Sequence, residues 1–130
     1  MAAQREATHP RNRLLVVDDH RPILRAMHAR LEHNGYDVDT ATDGATALTI
    51  ALARRPTHAL LDINMPGLDG FGLAERLQDA IEGIQITYLT ASQDPELLER
   101  AEDLGAVGFF QKPVDSGELL AHLEACHAQR

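Results

Sequence analysis

Features that bring proteins to membranes or into disulfide-bonded folds are scarce in this sequence. Its 130 residues include one cysteine, Cys126, so no intramolecular disulfide can form. Such cysteine usage is typical of a reducing compartment, and we predict a cytoplasmic location. No run of consecutive apolar residues is longer than four, whereas a membrane-spanning helix needs about 20. We therefore expect no membrane segment and no signal peptide.

Positive charge is scarce as well. Twelve Lys and Arg residues stand against twenty Asp and Glu residues, which gives a net charge of -8. An acidic surface repels the phosphate backbone of nucleic acids, and the basic residues form no tight cluster. We predict that the chain does not bind nucleic acid directly.

The motifs of several common enzyme classes are also missing. The sequence contains no glycine-rich phosphate loop, no Gly-x-Ser-x-Gly turn and no Cys–His pair placed at predicted strand ends. Nucleotide hydrolases of the phosphate-loop type and common serine and cysteine hydrolases are therefore not favoured.

Length and patterning indicate one α/β domain. A chain of 130 residues, 44% apolar and 25% charged, matches the size and composition of a single globular domain. Residues 1–12 show no periodicity and are interpreted as a flexible N-terminal leader, and residues 13–128 as the domain, with no output domain after it. Within that domain, short apolar segments alternate five times with segments of helical spacing. The predicted strands are Leu14–Val17, Tyr36–Ala41, Ala59–Leu61, Gln85–Leu89 and Val107–Phe110. The predicted helices are Pro22–Asn34, Gly44–Arg54, Gly70–Ala80, one from Asp94–Pro95 and one from Ser116.

This alternation predicts parallel strands joined by right-handed crossovers, hence a sheet covered by helices on both faces. Ligands of such three-layer sandwiches bind beyond the carboxyl ends of the strands, where the strand order reverses. With the order 2-1-3-4-5, the first and third strands are neighbours at that point. Polar residues at the strand ends are therefore the candidates for function.

Five polar side chains stand at these strand ends: Asp18, Asp19, Asp62, Thr90 and Lys112. Three neighbouring carboxylates repel one another unless a cation lies between them, and an oxygen-rich site open to water suits Mg²⁺. Lys112 is the only lysine beside eleven arginines, and its compact ammonium can pair with a carboxylate or phosphate oxygen. The pattern favours a magnesium site that also binds phosphate.

Each of these residues also has an ordinary structural explanation. Asp18 and Asp19 could form an Asx turn before the first helix. The Thr90 hydroxyl could satisfy the backbone at a strand end, and Lys112 could be a solvated side chain. The coincidence of four strand ends favours the functional interpretation over these alternatives.

Histidines offer weaker candidates. His28 with Glu32, and His122 with Cys126 and His127, have helical spacings that a metal site could use. Each group is small, and solvated helix faces are the favoured interpretation. His20 could sense pH or cap the first helix, and we favour the cap.

Five sequence segments occur together in order: LLVVDDH, NGYDVDTATDGATAL, LLDINMPGLDGFGL, YLTAS and GAVGFFQKPV. With them the chain resembles the receiver domain of two-component response regulators over residues 13–128. The resemblance implies a flavodoxin-like (βα)5 fold and a signalling domain rather than an enzyme.

The resemblance also implies roles for the strand-end residues. Asp62 would accept a phosphoryl group from a histidine kinase or a histidine phosphotransfer protein. Asp18 and Asp19 would hold Mg²⁺ together with the Asp62 carboxylate and the backbone carbonyl of Asn64. Mg²⁺ is the only cofactor implied.

The remaining roles concern the phosphoryl group and the switch. Thr90 and Lys112 would bind phosphoryl oxygens, and Asn64 and Ser92 would flank the path of the hydrolysing water. Thr90 and Phe109 would form the switch, which changes a protein-binding surface on the fourth helix, fifth strand and fifth helix. A downstream protein target follows from this, and the charges on that face predict a monomer.

The alternative is a small magnesium-dependent phosphohydrolase with Asp62 as nucleophile. Hydrolases of the haloacid dehalogenase type use the same strand-end residue types, but carry a second aspartate two residues after the nucleophile. This chain has Asn64 there, which favours the receiver.

Overall fold

In a computed structural model of the protein, residues 12–128 are described. The predicted leader, apart from Asn12, lies outside the described residues. Five strands alternate with five helices: β1 (Arg13–Val17), α1 (Arg21–His33), β2 (Asp37–Ala41), α2 (Gly44–Arg54), β3 (His58–Asp62), α3 (Gly70–Ala80), β4 (Gln85–Thr90), α4 (Pro95–Asp103), β5 (Gly108–Gln111) and α5 (Ser116–Ala128). The predicted alternation is confirmed, and the predicted bounds of all five strands and of the first helix differ from these by one residue at one or both ends.

The five strands form one parallel sheet in the order β2-β1-β3-β4-β5, which confirms the predicted order. The register places Val17 of β1 opposite Leu61 of β3. Asp18 and Asp62 each come one residue later, so the register brings them side by side at the carboxyl edge of the sheet.

Local chemistry explains where the helices begin. Asp43, Asp69 and Asp94 occupy the N-cap positions of α2, α3 and α4, and each carboxylate accepts a hydrogen bond from a backbone N–H of the first turn. Such caps satisfy amide groups that have no partner within the helix. Pro95 follows the cap of α4, where the absence of an N–H costs nothing.

The sheet separates two apolar clusters. Buried residues of α2, α3 and α4, such as Ala47, Phe71 and Ala101, pack on one face. Leu24 of α1 and Leu123 of α5 belong to the cluster on the other face. The inner strands β1, β3 and β4 are buried along most of their length, which explains their largely apolar sequences. None of the helices in residues 12–128 combines the length and apolar character needed to span a bilayer.

The helix face with His122, Cys126 and His127 is not a solvated face, so that interpretation was wrong. Cys126 is buried, and the His122 ring lies 2.8 Å from the Thr87 hydroxyl of β4, measured from Nε2 to Oγ1. Thr87 Oγ1 also lies 2.7 Å from Nε2 of His58, which is fully buried at the start of β3. This side of α5 packs against the sheet through polar as well as apolar groups.

His28 behaves as expected for a solvated face. Its Nε2 lies 3.5 Å from Oε2 of Glu32, and both side chains are exposed. Among residues 12–128, the aspartates at the carboxyl edge are the only group of three or more His, Cys, Asp or Glu side chains close enough to share a metal ion.

Candidate phosphoryl-acceptor site

Three carboxylates meet at the carboxyl edge of the sheet. One oxygen from each of Asp18, Asp19 and Asp62 lies within 4.8 Å of the others. Asp18 and Asp62 are buried, with 0% and 5% of their surface exposed, while Asp19 is exposed. The cluster is therefore anchored in the sheet on one side and open to water on the other.

Lys112 follows β5 and reaches across the edge to this cluster. Its Nζ donates a hydrogen bond to Oδ2 of Asp18 at 2.6 Å and lies 3.4 Å from Oδ2 of Asp62. Burial by itself lowers the pKa of Lys112, but the hydrogen bond to Asp18 and the two negative charges outweigh burial and raise that pKa. The side chain is therefore a stable cation that offsets part of the carboxylate repulsion.

Asp62 ends β3, where its buried carboxylate lies beside two other carboxylates and the ammonium of Lys112. Burial raises its pKa, the charge of Lys112 opposes this, and the charge of Asp18 adds to it. The backbone N–H of Asn64 donates a long, weak hydrogen bond of 3.4 Å to Oδ1. Asp62 thus carries negative charge that only one ammonium partly compensates, and a further cation would relieve it.

The ordinary explanation of Asp18 holds beside the functional one. Its Oδ1 accepts a hydrogen bond of 2.9 Å from the backbone N–H of His20, as in an Asx turn, while Oδ2 accepts from Lys112. His20 occupies the N-cap position of α1, but its side chain makes no capping hydrogen bond. The preference for a capping His20 side chain was therefore wrong.

Thr90 lies beside this cluster and makes no hydrogen bond to it. Its hydroxyl is buried and accepts a hydrogen bond of 3.0 Å from the backbone N–H of Ser92. The Thr90 carbonyl accepts one of 2.7 Å from the N–H of Lys112, which ties the two strand ends together. Phe109 is half-buried on β5, opposite Tyr88 of β4, and packs on the apolar cluster under α4.

Gly70 contributes to the site in a way that sequence reasoning missed. A Cβ at this position would overlap the carbonyl oxygen of Asp62 and lie 2.8 Å from Cα of Ile63. Glycine is needed because the start of α3 approaches the end of β3 closely, and the N–H of Gly70 donates to the Ile63 carbonyl at 3.0 Å. The only signal in the sequence was a glycine directly after the N-cap Asp69.

The donor set fits magnesium. All three carboxylates are hard oxygen ligands, and one side of the cluster is open to water, as Mg²⁺ requires to keep part of its hydration shell. Soft or imidazole ligands that would favour zinc or copper are not part of this group. The arrangement can hold a divalent cation and a phosphoryl group next to an ammonium.

Comparison with known proteins points in the same direction. The model of the response regulator receiver domain matches residues 14–124. Response regulator MprA of Mycobacterium sp. (strain KMS) is 36% identical over 113 residues, which cover 87% of this chain and 49% of the relative. The chain therefore spans about half the length of that relative.

Two solved structures are similar in fold. Chemotaxis protein CheY4 of Vibrio cholerae has a TM-score of 0.81 and 31% identity, over 87% of this chain and 96% of that chain. A response regulator protein from Burkholderia pseudomallei, with a phosphorylated aspartic acid, a calcium ion and citrate, has a TM-score of 0.80 and 27% identity. That match covers 90% of this chain and 70% of that chain. With the match to residues 14–124 and the parallel sheet described above, the resemblance is confirmed: this chain belongs to the receiver domain family of two-component response regulators.

Proposed function

We propose that Asp62 is the phosphoryl acceptor of this receiver domain and that a phosphohistidine on a histidine kinase or a histidine phosphotransfer protein is the donor. The observation that carries this proposal is the position of Asp62 at the centre of the site. Its carboxylate lies within 4.8 Å of those of Asp18 and Asp19 and 3.4 Å from the ammonium of Lys112. The related protein from Burkholderia pseudomallei was solved with a phosphorylated aspartic acid.

In this transfer, an oxygen of Asp62 forms the new bond to phosphorus. The bond between phosphorus and the donor nitrogen breaks, and its electron pair stays with the donor imidazole. Phosphoryl transfer depends mainly on positioning and on neutralising the charge of the equatorial oxygens. Lys112 contributes a positive charge that is already in place, and Thr90 contributes a hydroxyl at the neighbouring strand end.

Asp18, Asp19, Asp62 and the backbone carbonyl of Asn64 are the groups that would hold Mg²⁺. A bound Mg²⁺ would supply positive charge at the phosphoryl oxygens. Asp18 already has Lys112 and the N–H of His20 as partners, so its orientation is fixed before any cation binds. Such preorganisation is what a phosphoryl site requires.

Phosphorylation would act on the surface of α4, β5 and α5 by population shift. Thr90 would turn toward the phosphoryl group, and the half-buried ring of Phe109 would move into the space released. Phosphoryl contacts would thereby favour one of two packings of this surface. A downstream protein would bind the favoured packing. In this proposal, residues 13–128 form a cytoplasmic, monomeric signalling domain, and residues 1–12 are a leader.

Intact-protein mass after incubation with acetyl phosphate, with and without Mg²⁺, tests the acceptor. The expected result is one hydroxylamine-labile phosphoryl adduct that requires Mg²⁺ and is lost in Asp62→Asn. Asp79→Asn on the exposed side of α3 is the matched control and should keep the adduct. An adduct that persists in Asp62→Asn would contradict the proposal, and release of inorganic phosphate at many turnovers without an adduct would favour the phosphohydrolase.

A further inference from the structure

Tyr88 carries a polar group for which the packing provides no hydrogen-bond partner. Its side chain is fully buried on β4, and its hydroxyl has no partner among the described residues. Buried tyrosine hydroxyls usually find a partner, and a hydroxyl without one carries a free-energy penalty. That penalty belongs to this packing and would disappear in any packing that supplies a partner.

The position of Tyr88 connects this penalty to the proposed switch. Thr90 follows two residues later, so both side chains project from the same face of β4. Phe109 lies directly opposite Tyr88 on β5. On the other side, the Tyr88 ring lies 4.9 Å from the ring of Phe71 on α3, centroid to centroid. Tyr88 therefore lies on the sheet face that carries Thr90 and Phe109, the two residues of the proposed switch.

Arg100 of α4 is a candidate donor for this hydroxyl. Its guanidinium carbon lies 4.4 Å from the centroid of the Phe71 ring, and the Tyr88 ring lies against that same ring. Burial raises the pKa of Tyr88 to about 12, and the charge of Arg100 acts against this rise. The hydroxyl therefore stays neutral at ordinary pH, and its oxygen can accept from a guanidinium, which has donors only.

α4 is attached to the rest of the domain by little buried surface. Ala101 is its single buried residue, whereas five residues of α3 are buried. A small displacement of α4 over the Phe71 ring therefore disrupts few contacts. Such a displacement would bring Arg100 toward the Tyr88 hydroxyl.

We propose that Tyr88 is a positioning residue of the switch, with its hydroxyl unpaired in the present packing and hydrogen-bonded to Arg100 in the phosphorylated packing. This inference rests on the proposed function. Because the bond forms in only one of two packings, it shifts the equilibrium toward that packing. The penalty on the hydroxyl in the present packing acts in the same direction.

Tyr88→Phe removes the hydroxyl and keeps the ring. Tyr36→Phe is the matched control, since it removes the same atom from a side chain in the cluster on the opposite face. The first measurement is urea unfolding of the unmodified protein, and the second is the affinity for beryllofluoride, a phosphoryl analogue, in the presence of Mg²⁺. Tyr88→Phe should be at least as stable as the wild type and bind beryllofluoride about tenfold more weakly, equal to 1.4 kcal/mol. Tyr36→Phe should bind it as the wild type does.

A double-mutant cycle identifies the partner. Arg100→Met should also weaken beryllofluoride binding, and the double variant should bind no more weakly than the weaker single variant, because both changes remove one bond. Additive losses would overturn the assignment of Arg100. Unchanged affinity of Tyr88→Phe, or a loss of stability in its unmodified form, would overturn the role of Tyr88.

Failure of the inference and failure of the proposed function look different. If the wild type binds beryllofluoride and Tyr88→Phe binds it equally well, only the inference fails. If the wild type binds no beryllofluoride, the proposed function fails and the role of Tyr88 in the switch fails with it.

Discussion

The contact between Gly70 and the end of β3 leads to a prediction about both stability and the acceptor. In Gly70→Ala, the new methyl group would overlap the carbonyl oxygen of Asp62 and lie 2.8 Å from Cα of Ile63. Both are backbone atoms at the end of β3, and β3 is buried along its whole length. Neither can move without displacing the strand end, so the change should be unfavourable.

The magnitude follows from two opposing effects. Overpacking of a buried site, with the side-chain and backbone shifts that it forces, costs about 1–3 kcal/mol. We expect the upper half of this range because both overlapped atoms belong to the backbone. Replacing glycine by alanine in a helix returns up to about 1 kcal/mol. The net loss should be about 2 kcal/mol, which lowers the melting temperature of a chain of this length by roughly 8 °C.

Gly72→Ala is the matched control because it makes the same change in the same turn of α3. There the methyl group would lie 2.8 Å from Cδ1 of Leu68, the end of a half-buried side chain that can rotate. Helix propensity changes similarly in both variants, so their difference isolates the contact with Asp62. Gly72→Ala should change the free energy of unfolding by less than about 1 kcal/mol.

Urea unfolding followed by circular dichroism measures the stability difference, and mass after acetyl phosphate treatment measures the acceptor. Gly70→Ala should be the less stable variant and accumulate the phosphoryl adduct more slowly than Gly72→Ala, because its Asp62 is displaced. Equal unfolding free energies for the two variants would refute the argument, since they would show that the end of β3 yields to a methyl group at little cost.

Three further predictions concern charge at the site and under α5. Lys112→Met should destabilise the protein in EDTA by about 3 kcal/mol, because it leaves buried Asp18 and Asp62 without their ammonium. With Mg²⁺ the loss of stability should be smaller, since the cation replaces part of the missing charge. Equal losses with and without Mg²⁺ would contradict a cation site. Mg²⁺ at ten times its dissociation constant should raise the free energy of unfolding of the wild type by about 1.4 kcal/mol, which is a rise of roughly 5 °C in melting temperature. The same rise in Asp19→Asn would exclude Asp19 as a ligand. Burial lowers the pKa of His122 below its ordinary 6.5, so the unfolded chain binds the proton more readily and stability should fall as pH drops below 6.5 toward the folded pKa. The free energy of unfolding, measured with urea, should fall less for His122→Asn than for the wild type between pH 7 and pH 5. An equal fall in both proteins would rule out the contribution of His122.

Much of the fold follows from local sequence. The carboxylates of Asp43, Asp69 and Asp94 begin their helices through hydrogen bonds to amides two or three residues away. Apolar runs such as Leu14–Val17 indicate strands by four consecutive apolar residues, all of which are buried. These effects act over a few residues, so the sequence alone was sufficient to predict them.

The candidate site was predictable because parallel strands end at the same edge. Once the alternation of strands and helices is recognised, the polar residues at or just after the strand ends are the candidates, and Asp18, Asp62 and Lys112 are among them. The distances among them were not predictable. They depend on the register of β1 with β3 and on the path of the chain after β5, which contacts between distant segments determine.

Only the tertiary structure decided how residues distant in sequence meet. His122 was predicted on a solvated face, yet its partner Thr87 lies 35 positions earlier, and no local pattern reports such a contact. Gly70 is required by the space beside Asp62, and Tyr88 is identified by the absence of a partner for its hydroxyl among residues 12–128. Space and hydrogen-bond satisfaction are properties of the packed molecule, because each depends on atoms that other segments bring into contact. The sequence determined the strands, the helices and the residues at the strand ends. Packing determined which side chains from distant segments lie against these residues.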